Sequence, residues 1–224
     1  GVGFVPFVDP SSSNYPYLRI KTQNHGVLAA HDKAALHFFK DTFEGQSTDT
    51  VPDGWRRDGD GTRGTVSVDN GRTYAGSRSV RSRQPNTGAP SHWHFWQPNF
   101  NPPGDYKLTF YVNVNRKLNS GSADAFSFYN VERGGNNTNY YAWDINFVSD
   151  HSNGRGIVVR DGNGSGNYNK IRLVGAQYDV WLKAEIWCYF SNNSYNVTVT
   201  RLSDNSSWSA NNLGFRHNGN ANRY

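Results

Sequence analysis

The chain has 224 residues, of which 35% are hydrophobic and 18% charged, and Lys+Arg 23 against Asp+Glu 18 leave a net charge of +5. Most of the polarity is uncharged, carried by 27 Asn and 23 Gly, yet 7 Trp, 13 Tyr and 13 Phe exclude a disordered chain because such rings can bury a core. No apolar run approaches the roughly 20 residues of a membrane helix and no heptads persist, so neither a membrane span nor a coiled coil is expected.

Residues 1–38 differ from the rest and read as an N-terminal extended arm. Gly, Pro and Ser punctuate residues 1–16, and residues 17–21 are expected to form a short strand. The one stretch where a helical turn is expected is 29–38, with Asp32 near its start. Such an arm either packs along its own domain or grips a neighbouring subunit.

Residues 39–224 read as one all-β domain, in which short alternating runs are separated by Gly, Asn, Asp and Pro clusters. Between Trp55 and Arg83, seven arginines stand against three aspartates. Arg78, Arg81 and Arg83 are therefore candidates for an anionic ligand, unless they lie on solvated loops and strand edges. No helix-turn-helix, zinc-finger or RNP pattern accompanies this charge, so nucleic acid is not an expected partner. The densest aromatic segment, 91–96, reads either as a strand buried on both faces or as one presenting Trp96 beside His92 and His94.

The cleanest strand is 106–114. Its even positions (Tyr106, Leu108, Phe110, Val112, Val114) make a core face, and Lys107, Thr109, Tyr111 and Asn113 make a polar one. Further strands are expected over 125–132, 140–148, 156–160, 170–174, 181–190 and 195–202. In the 181–190 strand, Leu182, Ala184, Ile186 and Cys188 form a core set. Trp181, Lys183, Glu185, Trp187 and Tyr189 share the opposite face, which is either covered or lines an aromatic groove. Cys188 is the single cysteine, so no internal disulfide and no cysteine-based zinc site can form, and a buried inert thiol is expected.

Two loops alternate oxygen-bearing side chains with glycine. They make Asp58 and Asp60, and Asp161 and Asn163, candidates for a structural calcium site, although hairpin turns use the same residue types. An EF-hand is excluded, since the twelfth position from Asp161 is Arg172. Asn-x-Ser/Thr sequons begin at Asn136, Asn163, Asn192, Asn196 and Asn205, which fits an extracellular setting.

Four stretches, taken in order, resemble the concanavalin A-like, laminin G-like jelly-roll superfamily, including its carbohydrate-binding modules. They are Asp41-Thr42-Phe43-Glu44-Gly45 with Val51-Pro52-Asp53-Gly54-Trp55, then Tyr74-Ala75-Gly76-Ser77-Arg78-Ser79-Val80, then the 106–114 strand. The last pairs Trp181-Leu182-Lys183-Ala184-Glu185-Ile186 with Tyr195-Asn196-Val197-Thr198-Val199. The resemblance covers about residues 39–215 and implies a jelly-roll β-sandwich of two antiparallel sheets. It does not fix a function, because the superfamily holds lectins, adhesion modules, glycosidases, lyases and virion proteins.

The E-x-D-x-x-E pattern of the superfamily's retaining glucanases is absent. Glu132, Asp144 and Glu185 remain as acids that would have to converge from different strands. The alginate-lyase motifs are absent too, although Tyr, His, Arg and Asn are plentiful. The expectation is a non-catalytic extracellular glycan-binding or adhesion module needing no cofactor. Trp96, Trp143, Trp187, Tyr111, Asn113, Asn130 and Glu185 are its candidate contacts, since indoles pack on sugar faces and amides offer both donor and acceptor. Two alternatives stand beside it: a subunit of a virion, tail or filament whose arm contacts other copies, and a lyase acting on an anionic polysaccharide.

Overall fold

The computed structural model describes residues 4–7, 17–20, 41–58, 65–83, 94–96, 104–114, 127–133 and 139–217. The helical turn expected over 29–38, His92 and Asp60 lie outside the described residues, as do the side chains of Asp58, Arg83, Trp96 and Asn130. Two compact units divide at residues 41 and 42. In the first, strand β1 (Phe4–Phe7) pairs antiparallel with β2 (Tyr17–Ile20).

The second unit carries β3 (Arg56–Asp58), β4 (Thr65–Asp69), β5 (Ser79–Arg83), β6 (His94–Trp96), β7 (Tyr106–Asn113), β8 (Ser127–Arg133), β9 (Asn139–Ser149), β10 (Gly156–Gly162), β11 (Tyr168–Gly175), β12 (Trp181–Tyr189), β13 (Ser194–Arg201) and β14 (Ser207–Gly214). The described residues contain no α-helix, and a single 3-10 turn spans Phe190–Asn192. One four-stranded sheet runs β14-β13-β12-β7 and the other β11-β10-β9-β8, both antiparallel. Two further ribbons pair β3 with β6 and β4 with β5.

Period-two alternation sets the inward faces. In β12, Leu182, Ala184, Ile186 and Cys188 are fully buried, while every intervening residue is only partly buried. β13 repeats the pattern with Tyr195, Val197 and Val199. Against them lie Trp143, Ile145 and Phe147 of β9 with Ile157 and Val159 of β10, in one continuous core. Each such side chain withdrawn from water contributes about 1.5–3 kcal/mol. The result is an all-β, β-sandwich-like arrangement of two antiparallel sheets around one apolar layer.

Polar ties cross that layer. The Trp143 indole donates to the Tyr106 hydroxyl at 2.7 Å, and the Tyr195 hydroxyl donates to the Arg160 carbonyl at 2.5 Å. At one corner the strands nearly touch: a Cβ on Gly214 would lie 2.2 Å from the Gly162 carbonyl oxygen, so only glycine fits there.

β9 departs from simple alternation, being buried on both faces from Ala142 to Ser149. Its second face carries Asp144 and Asn146, which are tolerated there because they are partnered. Arg160 pairs with Asp144 at 3.0 Å, and the Asn146 amide donates to the same carboxylate.

Candidate functional site

Each odd residue of β7 and β12 points away from the core, so register decides which of them meet. Tyr111 stands opposite Lys183, Thr109 opposite Glu185, Lys107 opposite Trp187, and Asn113 opposite Trp181. The Lys107 ammonium lies 2.5 Å from Glu185 Oε1 and 4.6 Å from the centroid of the Trp187 ring. The Lys183 ammonium reaches the same oxygen at 3.0 Å. Burial pushes the Glu185 carboxyl up, but the two ammonium groups outweigh that effect and hold it below the usual range. It therefore stays ionised at neutral pH.

The 70–78 loop adds what the strands lack. Tyr74 stacks on Tyr111 with ring centroids 3.9 Å apart and planes 12° apart, and it tilts against Trp181 at 5.8 Å. Tyr74 and Tyr111 are 46% and 41% exposed, the large hydrophobic side chains left open to solvent among the described residues. Burial, followed by the neighbouring Tyr74, raises the Tyr111 pKa, so its hydroxyl keeps its proton.

Glu44 and Arg72 anchor this loop. Glu44 accepts from the Ser77 amide at 2.9 Å, the Ser77 hydroxyl at 2.7 Å and the Arg78 amide at 2.9 Å. Gly76 sits at φ +70°, where a Cβ would fall 2.3 Å from Glu44 Oε1, so the carboxylate can reach the loop only past a glycine. Arg72 Nη1 donates to Asn113 Oδ1 at 2.8 Å and to Asp179 Oδ1 at 3.1 Å.

The other half of the same sheet face is hydroxyl-bearing. Thr198 pairs with Ser209 at 2.9 Å and Thr200 with Ser207 at 3.2 Å, while Asn196 Oδ1 accepts from the Asn212 amide. An aromatic and cationic strip over β7 and β12 thus adjoins a neutral polar strip over β13 and β14.

Of the sequence-derived contacts, the structure brings together Tyr111, Asn113, Trp187 and Glu185 on this face. Trp143 is corrected: it is 3% exposed and bonded inside the core, so it has no surface to offer a sugar. Of the candidate arginines, the two with described side chains, Arg78 and Arg81, are both partnered. Arg78 Nε donates to the Gln46 carbonyl and its Nη1 to the Ser77 carbonyl, while Arg81 pairs with Asp69 at 3.4 Å. Asp144 and Glu185 lie on outward faces of opposite sheets with the core between them, so these two acids do not converge, and the side chain of Glu132 lies outside the described residues.

Asp161 ties strand β10 to β14, and Asn163 acts as a turn residue. Asp161 Oδ1 accepts from the Gly214 amide at 2.8 Å, and Asn163 Oδ1 accepts from the amide and hydroxyl of Ser165. They line a shallow cleft of about 250 Å³ with Gly162, Asn167, Tyr168 and Asn169. Among the described residues, no group of three His, Cys, Asp or Glu side chains comes together to hold a metal.

Tyr74 and Arg72 were not foreseen as site residues. The tyrosine lies in a stretch read only as a strand entry, and nothing local reveals that its loop folds onto Tyr111. No protein-family model matches the chain, and neither a curated protein nor a solved structure matches it.

Proposed function

We propose that the protein is a non-catalytic glycan-binding or adhesion module of concanavalin A-like, jelly-roll type, acting on an external surface. The observation that carries this reading is the exposed Tyr74–Tyr111 stack beside Trp181 on the outward face of β7 and β12. Flat, rigid rings held in place before binding lose little entropy when a sugar packs on them. The flanking Asn113, Thr and Ser groups supply donors and acceptors for hydroxyls.

Other features agree with this reading. Tyr111 holds its proton and Glu185 is pinned ionised by two lysines, so both titrate away from the range in which a general base works at neutral pH. The chain leaves β7 for the meander β8–β11 and returns as β12 beside β7, which supports the jelly-roll part of the proposal. The sequon residues Asn192 and Asn205 stand exposed, which suits an extracellular setting.

A glycan array followed by calorimetry tests the reading. Binding of at least one glycan class is expected, with the loss of affinity on Tyr74→Ala and Tyr111→Ala locating it on this face. Absence of binding across the array, with and without calcium, would defeat it.

A further inference from the structure

We infer that this platform selects an acidic sugar, whose carboxylate or sulfate lies on the Lys107–Lys183 pair while its ring rests beside the Tyr74–Tyr111 stack; the inference rests on the glycan-binding reading above.

The argument begins with a mismatch of charge. Both ammonium groups converge on a single oxygen, Glu185 Oε1, so two positive charges share one negative charge. Each ammonium has three N–H donors, and this carboxylate oxygen takes one from each. Lys107 and Lys183 remain 44% and 31% exposed, whereas the Glu185 side chain is only 14% exposed. The surplus positive charge therefore faces solvent and the negative charge lies beneath it. A second anion arriving from the solvent side would neutralise the pair and take up donors that Glu185 leaves unused.

Position agrees with charge. Lys183 is the direct cross-strand neighbour of Tyr111, so an ammonium stands one side-chain spacing from the stacked rings. A pyranose lying against the tyrosines could project its acidic substituent over Lys183. The remaining described charges on this side cannot do the same work: Arg72 is already bound to Asp179 and Asn113, Arg78 to backbone carbonyls and Arg81 to Asp69. The lysine pair is thus the described cationic feature of this face that carries an excess of charge.

The experiment uses matched polymers on the full chain. Polygalacturonate is compared with its fully methyl-esterified form, and dextran sulfate with dextran, by calorimetry at low and at moderate salt. At least one acidic member is expected to bind about tenfold or more tighter than its neutral partner, with an advantage that shrinks as salt rises. Which pair shows the advantage identifies carboxylate or sulfate as the group recognised. Lys183→Ala, verified as folded by circular dichroism, is expected to bring the acidic polymer down to the affinity of its neutral partner.

Equal binding of acidic and neutral members, or an acidic preference untouched by Lys183→Ala and Lys107→Ala, overturns the inference. If the neutral members still bind and lose affinity on Tyr111→Ala, the platform reading survives that result. Failure of every polymer to bind overturns the inference, and the broader array then decides the reading itself.

Discussion

The indole N–H of Trp143 on β9 donates to the hydroxyl of Tyr106 on β7 at 2.7 Å, joining the two sheets across their shared core. Trp143→Phe removes the donor and leaves a smaller ring in the same space. The lost buried hydrogen bond alone is expected to cost about 1–3 kcal/mol, with a cavity penalty added. Urea denaturation checks this through a lower midpoint, while the folded variant keeps whatever glycan affinity the native protein has. Weakened binding at native stability would contradict the placement of Trp143 in the core.

The Glu44 clamp predicts an acid-dependent platform. Hydrogen bonds from the Ser77 hydroxyl, then from the Ser77 and Arg78 amides, hold its carboxyl below the ordinary value of 4.5. The sign follows: a depressed carboxylate contributes fully above its unfolded pKa, and that contribution is lost as pH falls through the lower folded value. The near-ultraviolet circular dichroism of the tyrosine stack is therefore expected to weaken on acidification below 4.5. Glu44→Gln should show the weakened signal at all pH values and no acid transition. An unchanged transition in that variant would assign it to another group.

Cys188 is expected to be chemically silent. It is fully buried, and burial pushes its thiol pKa up to about 12. Native protein at pH 8 should give no reaction with Ellman's reagent, and urea should release one thiol per chain. Fast reaction of the native protein would mean that the inward face of β12 opens.

Asp161 is expected to act through a hydrogen bond rather than a metal. Its Oδ1 accepts from the Gly214 amide at the corner where β10 and β14 meet. Asp161→Ala should lower stability by roughly 1.5–3 kcal/mol, the range for a bond to a charged acceptor, and Asp161→Asn by much less. Thermal melts of these variants with calcium and with a chelator check the claim. A calcium-dependent rise in midpoint that vanishes in Asp161→Ala would contradict it.

What could be read beforehand divides along physical lines. Strand alternation is local, so the buried set Leu182, Ala184, Ile186 and Cys188 followed from spacing alone, as did the outward row from Lys107 to Asn113. Strand β14 leaves little trace in the sequence because Ser207–Gly214 has few apolar residues, only Leu213 among them being buried, and its pairing with β13 supplies the order that its side chains do not. The burial of Trp143 is not legible from spacing, because a strand buried on both faces gives no polar side to mark which residues face out. The tyrosine stack is a contact between residues 74 and 111, set by a loop whose anchor, Glu44, lies far upstream in the chain. Such long-range geometry leaves no periodic trace.

The most direct test of the central claim is calorimetric titration of the best array glycan into native protein and into the Tyr74→Ala/Tyr111→Ala double variant. Both proteins are first shown to unfold at similar denaturant concentration. The account predicts saturable binding to the native chain and a loss of at least about tenfold, roughly 1.4 kcal/mol, in the variant. Equal affinity in the two folded proteins would contradict it, because the sugar would then be held somewhere other than on those two rings.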